Sequence, residues 1–469
     1  MSFRLCFATH RRFRVSRHAV ASAKPSEAVS ALVCFMDSIS PRGLSRDIVG
    51  SCLVVLRRYQ EDHTAASPAE RNAVGQLIDW LSGVPHSPSD SDGEDLDEST
   101  RSYLASYKDN FARKSASQRG HGELLGASVK AQHMQPLLPG PPDLHQELAK
   151  VGDWNAFDIF EVDRLSEGRP LQAVGLALFD RFDLISKLHL PLPRLESYLQ
   201  AVEDTYIANP YHNSMHAADV TQSLGVMFLC ESFTSQLTSL ELLTMLLSAL
   251  VHDVGHPGVT NEFLMNTNAE TALVYNDNSI NENMHASIAW RLLQQPQNNF
   301  LEHLPEEEQK FVRRTLIQII LATDMAGHST LLKDFSAHIR LQSEQDLRHW
   351  SPEARASALH MCVHCADISN PAKPARFGRL WAERITAEFF AQGDQERKRG
   401  MPVSPLCDRE RVQIPKSQLT FLDYVVRPSF EALRGLCPHV AAAALSNMEE
   451  AREHWEAACD PPSTPGHGE

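Results

Sequence analysis

One run limits the fold of this chain more than any other: LLTMLLSALV, Leu242 to Val251. A helix over Leu240–Val251 is apolar nearly all round, so it has no face for water and must be enclosed by other helices. It is too short to cross a bilayer, which takes about 20 such residues. The run ends in HDVGHPG, where Gly255 and the Pro257-Gly258 step stop the helix after it has delivered His252, Asp253 and His256. Ionisable groups at the end of a buried helix are costly unless they are paired or bound to metal. Two imidazoles and a carboxylate so close together point to a metal site. A buried ion-pair network capping the helix is the plainer alternative.

The pattern recurs downstream. EARASALHMCVHCADISNP carries His364 and Asp367 to a break at Asn370-Pro371, and LIQIILATDMAGH ends in Thr323, Asp324 and His328. Upstream, PYHNSMHAADV holds His212 and His216 four apart, which on a helix opened by Pro210 would share one face. Greasy helices with acidic or imidazole tips predict convergence on one polar pocket. Mixed His and Asp ligation suits zinc or a similar first-row ion. A harder second ion, magnesium or manganese, would be held by a shared carboxylate and waters. A zinc protease is disfavoured, because Asn213 stands where HNSMH would need the glutamate base. Cys362 and Cys365 form a single CxxC in an apolar helix and read as core residues.

Helical spacing runs from about residue 145 to 457 in segments such as RLESYLQAVEDTYI and EEEQKFVRRTLIQIILATD, with no alternating strand pattern. The fold class expected is all-α: a compact multi-helix catalytic domain over 146–457, with a metal-containing pocket where helices converge. Residues 1–145 form an N-terminal region of unknown role. It is expected to be helical near Arg46–Tyr59 and Pro68–Val84 and disordered around HSPSDSDGEDLDEST. Residues 458–469 read as a disordered tail. The net charge of −15 argues against a nucleic-acid partner and leaves an anionic substrate in need of a metal or a local cationic site. No apolar run is long enough for a membrane span. Nine scattered cysteines fit a reducing compartment, and a cytoplasmic location is expected. The arginine-rich start, with no acidic residue before Glu27, makes mitochondrial targeting the alternative.

Seven stretches occur in series across roughly residues 145–457: PYHNSMHAADVTQS, HDVGHPGVTNEFLMNTN, YNDNSINENMHA, LATDMAGH, HCADISNPAK, FFAQGDQERKRGMPVSPLCDRE and KSQLTFLDY. Together they resemble the class I cyclic-nucleotide phosphodiesterases, most closely the subfamilies that prefer cAMP. The resemblance implies a metal-dependent hydrolase of 3',5'-cyclic nucleotides, cAMP first and cGMP as a second substrate, with a homodimer allowed. His216, His252, Asp253 and Asp367 match its metal ligands, and Asp253 matches the carboxylate shared by two divalent ions. Zinc is implied in the tighter site and magnesium or manganese in the other. His212 matches the general acid and Glu282 the carboxylate that orients it. His256, Asn261 and Thr323 match residues that position waters on the metals. Tyr211 and Asn370 match substrate contacts, and Gln418 matches the purine-reading glutamine. Ile385 and Phe421 match the apolar jaws around the base, with Phe389 one helical turn beyond Ile385.

Three positions depart from the pattern. Gly255 stands where relatives usually carry aspartate or another polar residue, and Met284 replaces a histidine common in the family. Gly378 stands where many cAMP-preferring members carry a side chain that helps to hold the glutamine. The alternatives are a dual cAMP/cGMP enzyme and an inactive cyclic-nucleotide sensor. A broader nucleotide phosphohydrolase would fit HDVGH but not the Gln418–Phe421 pair.

Overall fold

The computed structural model describes residues 140–342 and 347–459. All lie in the second of the chain's two compact units, His121–Glu469. The expectations for the N-terminal helices, the acidic linker and the basic leader fall outside the described residues. Every element among the described residues is helical, in line with the all-α reading. The helices that build the site are α1 (Pro170–Arg181), α2 (Leu192–Thr205), α3 (Ser214–Met227), α4 (Ser239–Val251) and α5 (Ile280–Leu293). They continue with α6 (Glu306–Leu321), α7 (Pro352–Asp367), α8 (Ala375–Lys398), α9 (Ile414–Phe421) and α10 (Pro438–Cys459). The last of these runs through the expected start of the tail.

α4 sits where its sequence requires. It packs against α1, α3, α5, α6 and α7, and Leu243, Leu246, Leu247 and Leu250 have no exposure to solvent. Each such leucine contributes roughly 1.5–3 kcal/mol by leaving water. Its start is fixed by a capping box: the Thr238 hydroxyl accepts from the Glu241 amide, and the Glu241 carboxylate accepts from the Thr238 amide. Arg355, in the first turn of α7, donates to both oxygens of that carboxylate at 2.6 and 2.7 Å. Burial would raise the Glu241 pKa, but the guanidinium outweighs it and the group stays ionised. One buried ion pair thus joins the starts of α4 and α7, and the two helices run on to deliver their far ends to the site.

The start of α3 differs from the sequence expectation. Pro210 does not open this helix. Asn213 caps it, its side-chain oxygen accepting from the amides of Met215 and His216 at 3.0 and 3.1 Å. The cap places His216 in the first turn and leaves His212 outside the helix. The shared-face argument therefore does not hold, although the turn still brings the two rings to 5.9 Å, nearly perpendicular at 85°.

Candidate metal centre and catalytic pocket

Three helix ends supply the centre. His216 lies in the first turn of α3, His252 and Asp253 follow the last residue of α4, and Asp367 is the last residue of α7. His216 Nε2 lies 3.1 Å from Asp367 Oδ1 and 3.5 Å from Asp253 Oδ2. His252 Nε2 lies 3.1 Å from Asp253 Oδ2 and 3.2 Å from Asp367 Oδ1. The four ligand atoms all fall within 4.8 Å of one another. Both histidines are buried and Asp253 nearly so. His252 Nδ1 donates to the Ala249 carbonyl at 2.9 Å, which turns Nε2 toward the carboxylates, the nitrogen that would bind a metal. That buried nitrogen has no hydrogen-bond partner. Two carboxylates and two imidazoles around a buried point form a donor set that fits a divalent ion such as zinc. The electrostatics agree. Burial opposes charge on His252, yet Asp253 and Asp367 raise its pKa well above the usual imidazole value. Burial likewise opposes charge on both carboxylates, yet His252 holds them well below the usual range. The field at this point selects for a cation.

His212 stands beside the centre. Its ring stacks on His256 with centroids 4.0 Å apart and planes 20° apart. Its Nδ1 pairs with Glu388 Oε1, and Glu388 Oε2 accepts from the amides of Tyr211 and His212 at 2.9 and 3.0 Å. The carboxylate that holds His212 is therefore Glu388, in the middle of α8, and not Glu282. Glu282 instead accepts from the Asn261 amide group at 2.9 Å, and burial pushes its pKa up to about 7. The reason is positional. The first turn of α5 is pinned to the short helix Asn261–Asn266, whose Asn261 Oδ1 accepts from the Asn281 amide at 2.9 Å. Burial disfavours the charged form of His212, but Asp253, Glu388 and Asp367 outweigh it and raise its pKa.

Other expected residues are placed as follows. His256 is buried against His212, and its Nδ1 accepts from the Gly258 amide at 3.0 Å. Thr323 lies two residues beyond α6 and donates its hydroxyl to the Ile320 carbonyl at 2.7 Å. His364 does not reach the centre with Asp367; its Nε2 pairs with His328 Nδ1 at 2.9 Å. Asp324 caps a short turn, accepting from the Ala326 amide and from Ser279. Gly255 has a φ of 77°, a left-handed conformation that glycine adopts freely, and Met284 is half-buried on α5.

Two residues were missed in the sequence. Glu388 was hidden among the acids of ERITAEFF. Its signal is an acid three residues after Ile385 and directly before Phe389, on the inward face of α8. His285, the last residue of NENMH, is buried on α5, and its Nε2 lies 3.7 Å from Asp253 Oδ1.

A polar chain leads away from the centre. The Tyr211 hydroxyl donates to Asn370 Oδ1, and Asn370 Nδ2 donates to Asp219 Oδ2 at 3.0 Å. Asp219 pairs with Lys373 at 3.4 Å, and Lys373 donates to Gln222 at 2.6 Å and lies over the Trp154 ring at 4.6 Å. Asn370 is thereby locked in one amide orientation. Ile385 and Phe389 on α8, and Gln418 and Phe421 on α9, are each half-buried. Gln418 borders a small cleft with Pro371, Gly378, His454 and Trp455, and it makes no side-chain hydrogen bond among the described residues. A Cβ on Gly378 would meet the Asn370 carbonyl oxygen at 3.2 Å, so the glycine lets α8 close on the Asn370–Ala372 turn.

A family model described as 3'5'-cyclic nucleotide phosphodiesterase matches residues 211–448. The mouse protein 3',5'-cyclic-AMP phosphodiesterase 4C is 40% identical over 331 residues, which is 69% of this chain and 48% of the mouse protein. The Drosophila melanogaster 3',5'-cyclic-AMP phosphodiesterase, isoform F, is 37% identical over 334 residues, 70% of this chain and 50% of the fly protein. Among solved structures, the phosphodiesterase domain of the RhoPDE fusion protein from the choanoflagellate Salpingoeca rosetta aligns with a TM-score of 0.58 at 33% identity. That alignment covers 62% of this chain and 92% of the solved one. The chain spans about half the length of the mouse and fly relatives it matches.

Proposed function

Because the chain belongs to the 3'5'-cyclic nucleotide phosphodiesterase family, we propose that it hydrolyses a 3',5'-cyclic nucleotide, cAMP in preference to cGMP, to the 5'-monophosphate. The observation that carries this reading is the adjacency of two parts: a buried four-ligand cage, and a histidine held by a carboxylate just outside it. His216, His252, Asp253 and Asp367 would hold zinc, and Asp253 would share a second ion, magnesium or manganese. When bound, such ions neutralise charge on phosphoryl oxygens and acidify water at the site.

The protein's own groups do the rest. His212, kept protonated by Glu388 and the nearby aspartates, gives its proton to O3' as the ester bond breaks. Glu388 also fixes the ring through the two backbone amides it accepts from, so the donor does not have to be oriented anew in each turnover. Ile385, Phe389 and Phe421 offer apolar surface to the base, and Gln418 and Asn370 offer amides to its edge. An inactive sensor would not require the proton donor and the metal cage together. No helix among the described residues is long and apolar enough to cross a membrane, and a cytoplasmic location remains our reading.

Competition between cAMP and cGMP tests the substrate. A kcat/KM ratio favouring cAMP by about tenfold or more is expected, while equal values would make the protein a dual-specificity enzyme. The pH profile tests Glu388. The protonated form of His212 is the active one, so activity is lost as pH rises through its pKa. Glu388→Gln removes an anion that raises this pKa, and the alkaline limb should move to lower pH. Glu282→Gln should leave that limb in place. A shift with Glu282→Gln alone would return the orienting role to Glu282.

A further inference from the structure

An α-helix leaves its last four carbonyls without amide partners in the helix. At the end of α4, three of these find partners of other kinds. The Ala249 carbonyl accepts from His252 Nδ1 at 2.9 Å, and the Val251 carbonyl accepts from the Val254 amide at 3.2 Å. The Leu250 carbonyl accepts at 3.1 Å from the hydroxyl of Tyr206, 44 residues upstream. The oxygen of that hydroxyl also accepts from the Asp253 amide at 3.3 Å. In a continuing helix this amide would donate to Ala249. One phenol thus serves as donor before His252 and as acceptor after it.

Tyr206 is itself held in place. It follows α2 directly, its amide donates to the Val202 and Glu203 carbonyls at 3.3 and 3.2 Å, and its side chain is buried. The two bonds of its hydroxyl bracket the part of the turn that faces the metal centre. Asp253 Oδ2 lies 3.1 Å from His252 Nε2 and 3.5 Å from His216 Nε2. A rotation of the Asp253 peptide would carry the carboxylate away from the point where α3 and α7 deliver their ligands.

We infer that Tyr206 is a positioning residue of the metal centre. It binds no ion, and it holds the turn with His252 and Asp253 in the arrangement that an ion can use. This rests on the centre proposed above and deepens it. An ion binds only those chains whose turn is so arranged, and its apparent affinity scales with their fraction. Without the hydroxyl, a buried amide and a buried carbonyl lose their partner, and that fraction falls.

Tyr198 supplies the control. It lies within α2, it is 1% exposed, and its hydroxyl donates to the Ala289 carbonyl at 3.2 Å. Tyr198→Phe also strips a buried hydroxyl from a backbone bond, but away from the turn at the end of α4. The test compares the full chain, stripped of metal, as wild type, Tyr206→Phe and Tyr198→Phe. Zinc affinity is measured by competition with a chromophoric chelator, and hydrogen exchange is followed at the Asp253 amide. Tyr206→Phe should bind zinc about 10–100-fold more weakly than wild type, the range typical of groups that orient ligands, and its Asp253 amide should exchange faster. Tyr198→Phe should lower the thermal midpoint and leave both readouts at wild-type values. Zinc binding by Tyr206→Phe within about tenfold of wild type overturns the inference, and so does an equal loss in Tyr198→Phe, which would make the effect one of general stability. Both of those results leave the four-ligand centre standing. A wild-type chain that takes up no zinc overturns the centre and the role of Tyr206 with it.

Discussion

Asp253→Ala should lose hydrolysis by about 10³-fold or more and should no longer retain metal through purification. Asp253 faces His216 and His252 with one oxygen and His285 with the other, so one substitution removes a donor from both sides of the pocket. The charge neutralisation and water activation supplied by divalent ions are worth several kcal/mol, and each 1.4 kcal/mol is about a factor of ten in rate. Asp253→Asn separates charge from shape, because it keeps the volume and removes the anion. Metal analysis and steady-state rates of both variants check the expectation. Either variant with full metal content and near wild-type turnover would show that Asp253 is not a ligand.

His212→Ala should show the complementary pattern. Turnover should fall by about 10²–10⁴-fold, the usual worth of a positioned general acid, while bound metal stays at the wild-type level. The structure separates the two roles: His212 lies outside the four-ligand set and is tied to Glu388 on α8. KM should change little, since the proton is transferred only as the bond breaks. Loss of metal along with activity would place His212 in the metal centre. Activity within tenfold of wild type would leave the leaving oxygen without its assigned donor.

How much of this was legible in the sequence depended on how local the signal was. The enclosure of α4 followed from a ten-residue run with eight apolar residues, and the structure buries all ten as required. His252, Asp253 and Asp367 could be found because each ends an apolar helix, and a helix tip is a place that spacing can locate. The start of α3 was misplaced because proline is a common first residue of a helix. Here, however, Asn213 supplies the side-chain oxygen that caps the free amides, and the helix begins after it. The partner of His212 was assigned to the wrong glutamate for a different reason. Glu388 is 176 residues away in the chain, and nothing in the local pattern of α8 says which turn of it meets the segment before α3. His285 was hidden by its own surroundings, a single histidine in a polar run, and only the tertiary fold shows that its Nδ1 meets the Val254 carbonyl while its Nε2 faces Asp253.

The most direct measurement is cAMP hydrolysis by the purified full chain, followed with metal content through chelation and re-addition of zinc with magnesium or manganese. The account predicts that 5'-AMP formation disappears as the ions are removed and returns when they are restored, with the helical fold intact throughout. Undiminished turnover by protein shown to be free of metal would contradict it.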